Sequence, residues 1–134
     1  MAFDFGKRRI GVAVGQTVSR TATALRTLGA KNGAPQWPAV TTLIDEWQPD
    51  LLVVGMPDTA DGAPSALEKP IRRFSADLEK RYGLPTTFVN ERLSSYAAGF
   101  SVDANGAGLD AEAAKMILQT WFEQTPSDNT ASMP

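Results

Sequence analysis

The chain predicts an α/β fold: a mixed five-stranded sheet, three antiparallel strands then two parallel, with helices on both faces. Three observations predict it. Strand patterns come first and close together, from Phe3 to Leu28, with no helical spacing between them. Helical and strand patterns alternate after that. One run, Leu51-Leu52-Val53-Val54, is apolar throughout, as a central strand covered on both faces must be.

Each element has its own reason. Phe3 and Phe5 share one face of the first strand and Asp4 takes the other. Gly6 then allows a tight turn. Ile10, Val12 and Val14 alternate with Gly11, Ala13 and Gly15, a strand with one large and one small face. Thr21 to Leu28, rich in threonine, is a third strand, and the three make an antiparallel meander. Gly29 to Pro35 reads as a loop. Pro38 fits the first turn of a helix whose stripe is Val40, Leu43, Ile44 and Trp47, and Pro49-Asp50 ends it. Beyond the central strand, Gly55 to Pro64 is a polar loop. The next helix turns Ile71, Phe74 and Leu78 inward, with Pro70 in its first turn. Gly83-Leu84-Pro85 leads to a strand from Thr86 to Val89. Leu93, Tyr96, Ala97 and Phe100 suggest a short helix, and Ser101 to Gly108 a small-residue loop. The last helix runs from about Asp110 to Glu123. Residues 1–123 are expected to form a single domain, and 124–134, polar with two prolines, a disordered tail.

Composition removes several chemistries. There is no cysteine, so no disulfide framework and no thiolate zinc site. There is no histidine, so no histidine general base and no Ser-His-Asp triad. Hydrolysis would need carboxylates, lysine, hydroxyls or a metal. No signal peptide is expected at the start, since Asp4 and Lys7 interrupt any apolar stretch, and no apolar run is long enough to span a bilayer. A cytoplasmic location is expected. The formal net charge is −2, whereas a dedicated nucleic-acid binder is more often basic. The basic residues do cluster, at Lys7-Arg8-Arg9 and on the helix with Lys69, Arg72, Arg73, Lys80 and Arg81. The helix reads as a solvated face. The turn cluster sits three residues from Asp4.

Three acids stand where core residues belong. Asp4 lies between two phenylalanines in a strand, although aspartate is depleted in strands. Glu91 ends the strand Phe88-Val89-Asn90. Asp110 shares a helix face with Ala114, Ile117 and Trp121. Taken singly, Asp110 could be an N-cap and Glu91 a surface acid paired with Arg92. Together they suggest one metal-holding site, because a buried carboxylate is costly unless paired or metal-bound. Such a site points to phosphodiester chemistry.

These residues resemble the YqgF family, also called RuvX, within the RNase H-like, RuvC-like nuclease superfamily. Phe3-Asp4-Phe5-Gly6 with Arg8 to Gly15 looks like the family's opening hairpin. Val53 to Pro57 with Asp61-Gly62 resembles its central strand and loop. Val89-Asn90-Glu91-Arg92-Leu93-Ser94-Ser95 is similar to its acidic segment, and Asp110-Ala111 through Gln119 to its final helix. The resemblance implies an RNase H-like fold and a metal-dependent nuclease with Asp4, Glu91 and Asp110 as catalytic and metal-binding acids. It implies two Mg²⁺ or Mn²⁺ ions about 4 Å apart, with Asp4 the best candidate to bridge them. Lys7, Arg8, Arg9 and Arg92 would hold flanking phosphates, or pair with the acids when metal is absent. Family members are described as Holliday junction resolvases and as nucleases that process the 5′ end of 16S ribosomal RNA precursor, and the resemblance favours the second role. Nucleic acid is then the partner, pre-rRNA ahead of branched DNA, with a monomer or weak homodimer as the acting form. Two departures stand out. Asn90 replaces an aspartate, and the stretch from Gly99 to Gly108 carries no basic residue.

Two other classes compete. An ATPase of the actin and sugar-kinase type opens with a similar hairpin but needs two lobes, and this chain supplies one. A non-catalytic interaction module on the same fold is opposed by the three acids.

Overall fold

The computed structural model describes residues 1–56, 67–90 and 109–124. The elements run β1 (Ala2–Asp4), β2 (Arg9–Gln16), β3 (Thr21–Lys31), β4 (Ala34–Pro35), α1 (Trp37–Trp47), β5 (Leu52–Met56), α2 (Glu68–Tyr82), β6 (Thr86–Asn90) and α3 (Leu109–Gln124). The expected short helix near Leu93, the loop from Ser101 and the tail after Gln124 lie outside the described residues.

The sheet has the order β4-β3-β2-β1-β5-β6. β1 to β4 pair antiparallel in succession, and β1, β5 and β6 run parallel. The mixed character is therefore as expected, but there are six strands rather than five. The sixth comes from the segment read as a loop. β3 continues to Lys31 and turns through Asn32 (φ 52°) and Gly33 (φ 82°) into β4. Two successive positive φ values suit a two-residue hairpin turn, and Asn-Gly is its commonest sequence. The hairpin is tied to the β1–β2 turn. The N–H of Gly33 donates to the carbonyl of Lys7 at 3.0 Å, and that of Ala30 to Arg8 at 2.8 Å. β3 also holds one residue more than its partner. Val12 pairs with Arg26 and Ala13 with Ala24, so Leu25 is bulged.

The sheet separates two cores. Phe3, Phe5, Ile10, Val12, Leu52 and Val54 face α1 and α2, where Val40, Leu43, Ile44, Ile71, Phe74 and Leu78 close over them. Ala2, Val53 and Val89 face α3 and meet Ile117, Leu118 and Phe122. The strict alternation along β1 thus sends Phe3 to one core and Ala2 to the other. Burial of each large side chain contributes roughly 1.5–3 kcal/mol.

Helix ends follow their local chemistry. α1 has Pro38 in its first turn, and its last turn closes through Gln48, whose N–H donates to Ile44 at 2.7 Å in the left-handed region. Trp47 was expected on the inner stripe but is 44 % exposed, because the chain leaves the helix there and the stripe ends at Ile44. α2 ends on Gly83 at φ 66°, the usual left-handed cap. At the far end of α3, Arg20 donates to the carbonyl of Phe122 and lies over its ring. A cation at a helix C-terminus is favourable.

The small face of β2 is where α3 rests. A Cβ on Gly11 would lie 1.8 Å from the carbonyl oxygen of Asp110. A Cβ on Gly15 would lie 2.9 Å from Leu118 and 3.2 Å from Phe122. The Gly11 contact is backbone against backbone, so no side-chain rotation relieves it. Gly11→Ala should therefore lower stability by about 1–3 kcal/mol or more, the usual cost of overpacking. Denaturant unfolding of the two proteins measures it.

Candidate functional site

Asp4 ends β1 at the carboxyl edge of the parallel strands, the edge where sites form in open α/β sheets. Its Cα partner across the antiparallel pair is Gly11. Directly opposed residues share a face of the sheet, with Cβ positions about 5 Å apart. The Gly11 Cβ direction runs into the backbone of Asp110. Asp4 therefore projects on the α3 face, beside the first turn of that helix. Its partial burial fits this position. The helix dipole there favours negative charge, and Asp110 and Glu112 both lie in the first turn. Asp110 is the second residue of α3, so it lies inside the helix rather than at an N-cap.

Arg9 stands two residues before Gly11 on the same strand, hence on the same face. Its Nε donates to Oδ2 of Asp110 at 2.9 Å. One face of the sheet thus brings together Asp4, Asp110 and Arg9. Arg9 is placed as the partner of an acid, the second of the two roles open to it. Lys7 and Arg8 are exposed, in the turn that joins β1 to β2. Glu91 and Arg92 lie outside the described residues; in sequence, Glu91 directly follows Asn90, the exposed last residue of β6. Asn90 pairs in register with Met56 at the same carboxyl edge as Asp4.

Among the described residues, no three acidic side chains form a group that could hold a metal. Two carboxylates do share the face. Carboxylate oxygens are the donors that Mg²⁺ and Mn²⁺ prefer, so the donor chemistry fits such an ion. Sequence reasoning found the acids but not Gly11, the residue that lets Asp110 approach. The signal was present, since Gly11 lies on the small face of β2. It also took the basic residues of α2 as a solvated face. All five are exposed, yet Arg72 lies over Phe88 at 5.4 Å and Arg81 over Trp37 at 4.1 Å.

A mixed sheet of this order with helices on both faces is an RNase H-like fold. The fold matches T. thermophilus RuvC, solved in complex with a Holliday junction substrate. The TM-score is 0.55 at 12% identity, over 91% of this chain and 92% of that one. The family described as "RuvX: Holliday junction resolvase" matches residues 1–124, and the chain belongs to it. Curated relatives bear the name "Putative pre-16S rRNA nuclease". That of Ralstonia pickettii is 47% identical, covering 92% of this chain and 86% of its own. That of Nitrosococcus oceani is 46% identical with the same coverage. That of Coxiella burnetii is 40% identical, covering 96% of this chain and 94% of its own. No helix among the described residues is long and apolar enough to cross a membrane.

The Arg9–Asp110 pair is open to solvent, with side chains 66% and 30% exposed. Exposed pairs contribute about 0–1 kcal/mol. Arg9→Gln should therefore cost under about 1 kcal/mol in denaturant unfolding. A larger loss would show that the pair organises the fold and not only the site.

Proposed function

We propose that this chain is a metal-dependent nuclease that processes the 5′ end of precursor 16S ribosomal RNA. The observation that carries the reading is the placement of Asp4 beside Asp110 through the Gly11 contact. The names of relatives 40–47% identical support it. Asp4, Asp110 and Glu91 would hold Mg²⁺ or Mn²⁺. When bound, such ions lower the pKa of a water and offset the charge on a departing oxygen. Asp4 would be held by a strand paired on both sides. Asp110 is oriented by its helix turn and by Arg9. Lys7 and Arg8, on the exposed turn, would contact phosphates flanking the cut, and Arg9 and Arg92 would do so beside the acids. The chain has no histidine, so proton transfer at the site needs no imidazole.

A second substrate is favoured by the family description and by the structural likeness to RuvC. A four-way junction requires two symmetric cuts and hence a two-fold dimer. A precursor-RNA nuclease needs no such symmetry and can act as a monomer. Incubation with a 16S precursor fragment and with a synthetic junction, each with Mg²⁺ or Mn²⁺, separates the two. The reading predicts cleavage of the RNA; cleavage of the junction alone would replace it.

Clustered carboxylates repel one another without a cation. Asp4→Asn should abolish cleavage and leave the metal-free protein as stable or slightly more so. A thermal melt and a cleavage assay on the same preparation measure both. A large loss of stability would make Asp4 a structural group.

A further inference from the structure

A groove of about 410 Å³ opens on the other side of β1 from the acids. Its walls are the β1–β2 turn, the β3–β4 hairpin and the first turns of α2. Lys7, Lys69 and Arg73 reach it from two of those elements, with Asn32 from the hairpin. Lys69 and Arg73 are four apart on one helix face, as neighbours must be to act on one ligand. Asp77, one turn further, is the one acid among the lining residues. Among the described residues the ion pairs are Arg9–Asp110 and Arg72–Glu68, so none of the three groove cations is neutralised by one. In a chain of net charge −2 this is a local concentration of positive charge. The floor is apolar, built on Trp37 and Phe74, whose rings stack with centroids 6.0 Å apart. Cations at the rim of an apolar floor suit a nucleic-acid strand, with phosphates outside and sugar or base within.

The groove is also close to the acids along the chain. Lys7 is three residues from Asp4, so their Cα atoms are at most about 11 Å apart. A stacked strand rises about 3.4 Å per nucleotide. The separation therefore corresponds to at most about three nucleotides. The turn that carries Lys7 is held to the hairpin by the Gly33 and Ala30 hydrogen bonds, which fixes one wall against the other.

We infer that this groove binds the backbone phosphates of the single-stranded RNA that leaves the acidic site, within about three nucleotides of the cut. The inference rests on the nuclease reading and adds where the substrate lies. It also gives Lys69 and Arg73 a role that neither the acids nor the turn cluster supplies.

The test uses the full chain carrying Asp4→Asn, so that a 12-nucleotide RNA strand is bound and not cut. Its affinity is titrated against salt with and without Lys69→Gln and Arg73→Gln together. A control pair, Arg26→Gln with Lys80→Gln, removes the same charge outside the groove. Each phosphate contact contributes a slope of roughly 0.7 for single strands, so the groove pair should lower the slope by about 1.4 and weaken binding about tenfold at 0.1 M salt. The control should leave the slope within about 0.3. Equal slopes for the groove pair and the control overturn the inference. If wild-type chain still cuts RNA in that case, the nuclease reading stands and the groove alone is rejected. No RNA binding by the Asp4→Asn chain overturns the groove, and failure of the wild-type chain to cut RNA overturns the nuclease reading. Should the groove pair fail to fold, Lys7→Gln reads the third cation, with an expected loss of about 0.7.

Discussion

The first turn of α3 lies against β2 so closely that only a hydrogen fits at Gly11. Much else depends on that contact. It lets one helix cover Ala2, Val53 and Val89, closing the second core. It brings Asp110 over the strand that pairs with β1 at Asp4. It also puts Arg9, two residues away, within 2.9 Å of the Asp110 carboxylate. Close approach replaces what a larger residue would supply by packing. The site therefore depends on the absence of a side chain as much as on its acids.

Charge is arranged around the same strand. Asp4 and Asp110 lie on one side of β1 and the groove cations line the other, although the chain as a whole is slightly negative. Net charge misleads when opposite signs are separated by a single strand. Alternation along β1 does the separating, since Asp4 and Phe5 must point to opposite faces. Phe5 supports the groove floor while Asp4 faces α3. The β1–β2 turn passes between the two and carries Lys7 and Arg8, with Arg9 opening β2.

Most of the sheet was legible in the sequence because its period is regular. Phe3 and Phe5 against Asp4, and the large and small faces of β2, gave strand and face together. The apolar run at Leu51 to Val54 marked a strand with a core on each side, and Val53 and Val54 do enter different cores. β4 was missed because two residues carry no period, although Asn32-Gly33 signals a hairpin. The stripe of α1 was drawn one turn too long, since periodicity does not show where a helix leaves the core. In α3 the predicted face named Ala114 and Ile117 correctly, but the buried set also includes Ala111, Leu118 and Phe122. Of the site, the acids were visible as polar residues in apolar segments. Their convergence was expected from their placement in core-facing segments, but the contact that allows it was not, because it depends on Gly11, and a glycine in a strand has several readings. The groove was hidden for a similar reason. Lys69 and Arg73 belong to an exposed helix face, and only the hairpin wall turns that face into a cleft.

The central claim is that the Gly11 contact assembles a carboxylate site for a divalent cation. Titration calorimetry of Mn²⁺ into the wild-type chain and into Gly11→Ala, both shown to be folded, tests it directly. The variant keeps every acid and pushes the first turn of α3 away from β2. The account predicts binding to the wild type and at least a tenfold weaker affinity in the variant, a difference of about 1.4 kcal/mol or more. Equal affinity in the two would contradict it.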